Sequence, residues 1–166
     1  MAEIAKAAGV SRQAVYLHFG TRGGMLMALV KRADRRFTIE EDLFASFEVA
    51  DAKARLEASL SVWFAFVRRI APVAQELIRL RDTDPDASAA WEDRMAELRS
   101  WLRVLVGSLK TDGALAQGWS VEAASEYLWA ASSVQIWALL VRDCGWQESQ
   151  AESTMGQAIA AAILKR

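Results

Sequence analysis

The sequence predicts an all-α fold, a small N-terminal helix-turn-helix head followed by a larger helical body, and three observations predict it. Across the 166 residues, stretches rich in Ala, Leu, Glu and Arg repeat their apolar positions every three to four residues, with almost no alternation of the kind strands need. Short clusters of Gly, Pro, Asp and Ser separate these stretches, which is how helices are punctuated. Charge is also unevenly divided. Residues 1–36 carry seven Lys or Arg against Glu3 and Asp34, a net of +5, whereas the rest of the chain carries a net of −6 inside a whole-chain value of −1. We therefore divide the chain into a basic region, 1–36, and an acidic body, 37–166.

The head comes first. Residues 1–20 read as one helix, a tight turn at Gly9 and a second helix. Ala5 is small enough to let two turn-linked helices approach, and Gly9 suits a backbone position with positive φ. Ile4, Ala8, Val10 and Val15 are spaced to share one small core. Ser11 fits the N-cap of the second helix, since its hydroxyl can accept an otherwise orphaned backbone N–H. Arg12 and Gln13 then fall in the first turn, pointing outward, where the second helix of such a unit meets base edges in the major groove. Arg can fork onto guanine and Gln onto adenine. A polyanion is attracted to this end, and the sequence-independent part of its binding should be salt-sensitive.

The run Val10-Ser11-Arg12-Gln13-Ala14-Val15-Tyr16-Leu17-His18-Phe19, followed by Thr21-Arg22, resembles the DNA-binding head of the tetracycline-repressor (TetR) family of bacterial regulators. Gly9, Val10, Ser11, Val15, Tyr16, His18, Phe19 and Arg22 fill the family's pattern at its offsets. The resemblance implies that Arg12 and Gln13, with Ser11 at the cap, meet bases, that Tyr16, His18 and Arg22 hold phosphates, and that Phe19 is core. It implies a further helix ahead of the place where this chain begins, so the head reads as one whose first helix is missing. Gly23 and Gly24 depart from the charged helix-formers usual in the family; each weakens a helix interior by ~0.5–1 kcal/mol relative to Ala, which predicts local play there.

A third helix runs from Thr21, a suitable N-cap, to near Arg36. A segment at Glu40–Phe47 leads into a long helix, Asp51–Ile70, with Leu56, Leu60, Trp63, Phe64 and Val67 as core. Pro72 is expected to end or restart the chain, because it lacks an N–H and its ring clashes with the preceding turn. A shorter helix, Val73–Leu80, closes at Asp82-Thr83-Asp84-Pro85. Next comes an amphipathic helix, Asp86–Leu109, with Met95, Leu98, Leu102 and Leu105 on one face, ended by Lys110-Thr111-Asp112-Gly113.

Two helices finish the chain. The first, Ser120 to Cys144, includes Tyr127, Leu128, Trp129, Val134, Ile136, Trp137, Leu139 and Leu140, so apolar on all sides that it must be covered nearly all round. The second, Glu148–Leu164, is rich in Ala, which lets helices come close. A symmetric dimer built on these last two helices would supply the cover, and its paired heads would match a two-fold operator. The TetR resemblance implies the same interface. It also implies a small-molecule cavity in the body, for which Trp63, Phe66, Trp101 and Trp129 are the candidate lining residues.

The expected function is that of a ligand-responsive transcriptional regulator, a repressor released from its operator by a small apolar or aromatic molecule. The expected partners are double-stranded operator DNA, that effector and a second copy of the chain. The alternative is a helical small-molecule-binding or interaction protein that has lost DNA binding. Enzymatic activity is not expected: there is no nucleophile elbow and no Gly-rich phosphate loop. The single His18 has no second ligand at metal spacing, so no metal or other cofactor is expected. No apolar run approaches membrane-spanning length. Cys144, the only cysteine, excludes an intrachain disulfide, fits a reducing cytoplasm and reads as a small buried residue.

Overall fold

The structure is a computed structural model that describes residues 2–37 and 39–165, and the side chains of these except 33–37. Met1, and the side chains of Arg35 and Arg36 counted in the basic region, lie outside the described residues. Helices follow one another as α1 (Ala2–Ala7), α2 (Arg12–Phe19), α3 (Arg22–Phe37), α4 (Ile39–Phe47), α5 (Ala52–Leu80), α6 (Pro85–Thr111), α7 (Val121–Ala131), α8 (Val134–Ala138) and α9 (Glu148–Ile163). A π-helical turn, Leu139–Asp143, extends α8.

The body is organised around α5 and α6. Leu56, Leu60, Phe64 and Val67 of α5 and Leu102, Leu105, Val106 and Leu109 of α6 are buried in one cluster. Leu26 and Val30 of α3 join it from the head side, and Ala151, Met155, Ile159 and Ile163 of α9 from the other. A second, smaller cluster of Ile39, Leu43 and Phe66 packs α4 on α5. Beneath it the Ser46 hydroxyl donates to the Leu43 carbonyl, so Ser59 supplies the proton of the 2.8 Å Ser46–Ser59 bond. Arg55, buried on α5, is paired with Asp112 at the end of α6. Beyond α6, Leu115 and Leu164 form an isolated antiparallel bridge that ties down the chain's end.

The structure departs from the sequence expectation at several places. Pro72 does not break the helix: α5 runs unbroken through it. Ala71, Ala74 and Leu77 continue the stripe of Phe64 and Val67, and their burial outweighs the roughly 3 kcal/mol that an interior proline costs. The ring itself is on the exposed side, where water can serve the carbonyl it leaves unbonded. The expected single helix over Ser120–Cys144 is instead α7, α8 and the π turn. Ser132 turns its hydroxyl back onto the Leu128 carbonyl, and the hydroxyl of Ser133 accepts the Ile136 N–H to start α8. Serine offers the backbone a partner outside the helical ladder. Trp63 closes the break by donating its indole N–H to the Ser132 carbonyl at 2.8 Å.

The shared head core is the third departure. Ala5 and Val15 are buried, but Ile4 is 40% and Val10 48% exposed, and Ala8 is exposed too. Among the described residues only α2 packs closely on α1, and two short helices cannot enclose all these side chains. Fourth, Cys144 is exposed at the end of the π turn rather than buried.

Candidate nucleic-acid interface and effector cavity

The turn between α1 and α2 forms as its residues dictate. Gly9 has φ +67°; its N–H donates to the Lys6 carbonyl, and the Val10 N–H reaches back to Ala5. This pair of bonds satisfies the open carbonyls at the end of α1 and reverses the chain. Ser11 then caps α2, its Oγ accepting the Ala14 N–H at 3.0 Å. Arg12, Gln13, Tyr16 and His18 are all exposed on α2, and Phe19 is half-buried with the His18 ring edge-on against it. Arg22 opens α3 and is tied to the body: its guanidinium lies 2.5 Å from Glu76 of α5, while half the side chain stays exposed. Glu76 is shared with Arg79, whose hydrogen bonds chiefly hold its carboxyl below the usual range, with Arg22 adding to the effect.

Gly23 and Gly24 are sites of close approach, so the expectation of local play is corrected. A Cβ on Gly23 would lie 2.4 Å from the Ala87 backbone N at the start of α6, and one on Gly24 would lie 2.2 Å from the Phe19 carbonyl oxygen. Helix α3 is therefore seated on α6 at one end of this pair and on α2 at the other, with no room for a side chain at either. Thr21 caps α3 by accepting the Gly24 N–H, and passes its own hydroxyl proton to Asp86 at 2.6 Å.

Two adjoining cavities, about 90 and 240 Å³, lie where α3, α5 and α6 converge. They share walls formed by Val30, Trp63, Ile70, Met95 and Leu98. Phe66 and Trp101 line the smaller cavity, under α4, and Trp129 lines the larger, under α7 and α8. All four aromatics proposed from the sequence thus border this space, and Trp63 borders both parts. Sequence reasoning missed Trp91, Met95 and Val30, which complete the walls; the i, i+4 step from Trp91 to Met95 was the available sign. Two of the lining tryptophans spend their indole N–H on the protein, Trp63 on Ser132 and Trp129 on the Met95 sulfur at 3.4 Å. Arg94, engaged by Asp93 and Glu97, stands beside both cavities, with Ser133 and Gln135 at the larger one. Larger clefts occur at the α5–α6 turn, walled mostly by polar side chains, and along α5 and α9, where Leu60 and Phe64 lie among Glu57, Glu152 and Gln157, but both are more open.

Among the described residues, no helix is long and apolar enough to cross a membrane, and no group of three or more His, Cys, Asp or Glu is placed to hold a metal ion.

Comparison with known proteins bears on both regions. Residues 1–29 match the family described as bacterial regulatory proteins, tetR family. No curated protein matches the chain. Several solved structures share the fold. A putative transcriptional regulator from Saccharomonospora viridis, solved in complex with choline, superposes with a TM-score of 0.78 at 15% identity, over 98% of this chain and 85% of that one. A regulator, FadR, from Bacillus subtilis in complex with stearoyl-CoA gives 0.72 at 19% identity, over 96% and 86%. A putative TetR-family transcriptional regulator from Rhodococcus sp. gives 0.70 at 18% identity, over 96% and 85%.

Proposed function

We propose that this chain, which carries a tetR-family N-terminal region on the fold of those regulators, is a ligand-responsive, DNA-binding transcriptional repressor acting as a homodimer. The observation that carries the reading is α2: a helix capped by Ser11 and presenting Arg12, Gln13, Tyr16 and His18 outward from the basic end of an otherwise acidic chain. Arg12 and Gln13 read base edges, and Tyr16, His18 and Arg22 grip phosphates. Arg22 is held in place for this by Glu76, with its exposed half turned to the duplex. Residues 1–36 form the DNA-binding region and residues 37–166 the effector-binding and dimerising part, with the cytoplasm as the place of action.

The effector is a compact apolar or aromatic molecule. A dry apolar cavity of about 150 Å³ accepts benzene, so the larger cavity has room for a body bigger than one ring. With the Trp63 and Trp129 donors occupied, orientation of a ligand in the larger cavity falls to Arg94, Ser133 and Gln135 at the wall. An effector that binds better to the conformer with wrongly spaced heads lowers operator affinity by its differential affinity alone.

The dimer forms through the last two helical stretches, the first comprising α7, α8 and the π turn and the second α9. Ile136 and Leu139 are exposed, at 37% and 54%, as are Ala158 and Ala161 of α9, and close helix packing between copies would bury them.

The test is an electrophoretic mobility shift with duplexes flanking the chain's own gene, repeated over a panel of apolar ligands that quench tryptophan emission. A dimer that shifts one duplex and releases it with a quenching ligand supports the reading. Ligand binding without any shift returns the alternative, a helical small-molecule-binding protein that has lost DNA binding.

A further inference from the structure

Asp84 lies between the starts of two helices. One carboxylate oxygen accepts the Asp86 and Ala87 N–H groups, at 3.0 and 3.2 Å, and so caps α6. The other accepts the Gly23 N–H of α3 at 3.2 Å. The positive ends of two helix dipoles thus share a single anion. Gly23 is what allows the approach, because a Cβ there would meet the Ala87 backbone.

From this shared cap two paths run outward. Along α6, Trp91, Met95 and Leu98 follow within the next turns and wall the cavities. Toward the head, Gly24 abuts the Phe19 carbonyl at the end of α2, so a shift at the start of α3 has no slack in which to be absorbed. The reading helix is therefore set at an angle fixed where α3 meets α6.

We propose that Asp84 is a positioning residue for DNA recognition: by holding Gly23 against the start of α6, it fixes the angle of the reading helix relative to the helix that walls the effector cavity. This rests on the DNA-binding reading above.

Asp84→Asn is the discriminating change. Asparagine caps a helix as well as aspartate does, so its oxygen keeps the bonds to α6. Its NH₂ end is a donor and cannot accept the Gly23 N–H, so the bridge to α3 is lost. Removing a negative charge near a basic DNA-binding end would by itself tighten binding to a polyanion. The proposal requires the opposite sign.

In the full-length dimer, Asp84→Asn is expected to bind its specific duplex about tenfold more weakly, within the range of ordinary coupling effects, with melting temperature and tryptophan emission unchanged. Gly23→Ala should weaken binding similarly, and the double variant should be no worse than the weaker-binding single, as for two changes that break one joint. Asp82→Asn, which removes the charge of an exposed neighbour away from the joint, should bind as wild type or tighter. Wild-type or tighter binding by Asp84→Asn overturns the proposal, whatever Gly23→Ala does.

If the wild type shifts no duplex, the regulator reading fails, and the joint is judged separately. Spin labels at Ala7→Cys and Arg103→Cys in a Cys144→Ser background, diluted with unlabelled chain, report the distance from head to body within one chain. A narrow distribution that shifts or broadens with Asp84→Asn supports the joint, and an unchanged distribution overturns it.

Discussion

Gln13 sits in the first turn of α2, exposed and beyond a cap that fixes the helix start. A bidentate side-chain contact to adenine at that position is worth about 1–3 kcal/mol of discrimination. Gln13→Ala should therefore weaken binding to the preferred duplex by that amount and relax the preference at one base pair, as read by competition with single-base variants of the site. Uniform weakening across all variants would mean that Gln13 touches only the backbone. Glu152 supports a prediction of another kind. Burial pushes its carboxyl up from the ordinary value, against the pull of Arg68, whose Nε lies 3.1 Å away. A raised folded-state pKa means that the charged form costs stability at neutral pH, and that this cost is relieved as pH falls through the raised value. Glu152→Gln should thus melt higher than wild type at pH 8, with the gap closing toward pH 5; a gap that widens on acidification contradicts the assignment. At this scale the sequence was legible where the chemistry is local. Gly9, Ser11 and Thr21 do what their types and offsets imply, because their partners lie within five residues. Arg22 was not fully legible: Glu76 is far along the chain, and no local pattern announces it.

Among the elements, α5 is the instructive one. Its apolar stripe is continuous across Pro72, so the proline breaks a local rule that burial of Ala71, Ala74 and Leu77 overrides. Pro72→Ala should restore one backbone hydrogen bond without disturbing the exposed surface, and should raise stability by about 1–3 kcal/mol in denaturant melts. No change would mean that the ring is matched by a distortion elsewhere in the helix. The reverse error occurred at Ser132 and Ser133, where apolar residues on both sides suggested one helix. The break is held by the Trp63 indole, a contact between elements that periodicity does not encode. Gly23 and Gly24 teach the same lesson. Helix propensity alone reads them as weak points, whereas each is the residue that lets α3 be seated against a neighbour.

Over the whole molecule, the basic head and the cavity are joined through α3, whose start is locked to α6 and whose Val30 reaches both cavities. The helical class and the local construction of the head, its turn at Gly9 and its cap at Ser11, were legible because turn and capping residues are written along the chain. The cavity was legible only through the family resemblance, since its walls come from helices far apart in sequence. Regulation of this kind depends on α2 reading a duplex. Its most direct test is a fluorescence-anisotropy titration of the intact protein with a duplex flanking its gene and with a scrambled duplex of equal length, over a range of salt. Tighter binding to the first is expected at every salt, with both affinities falling as salt rises. Equal affinity for the two duplexes, or none for either, would contradict it.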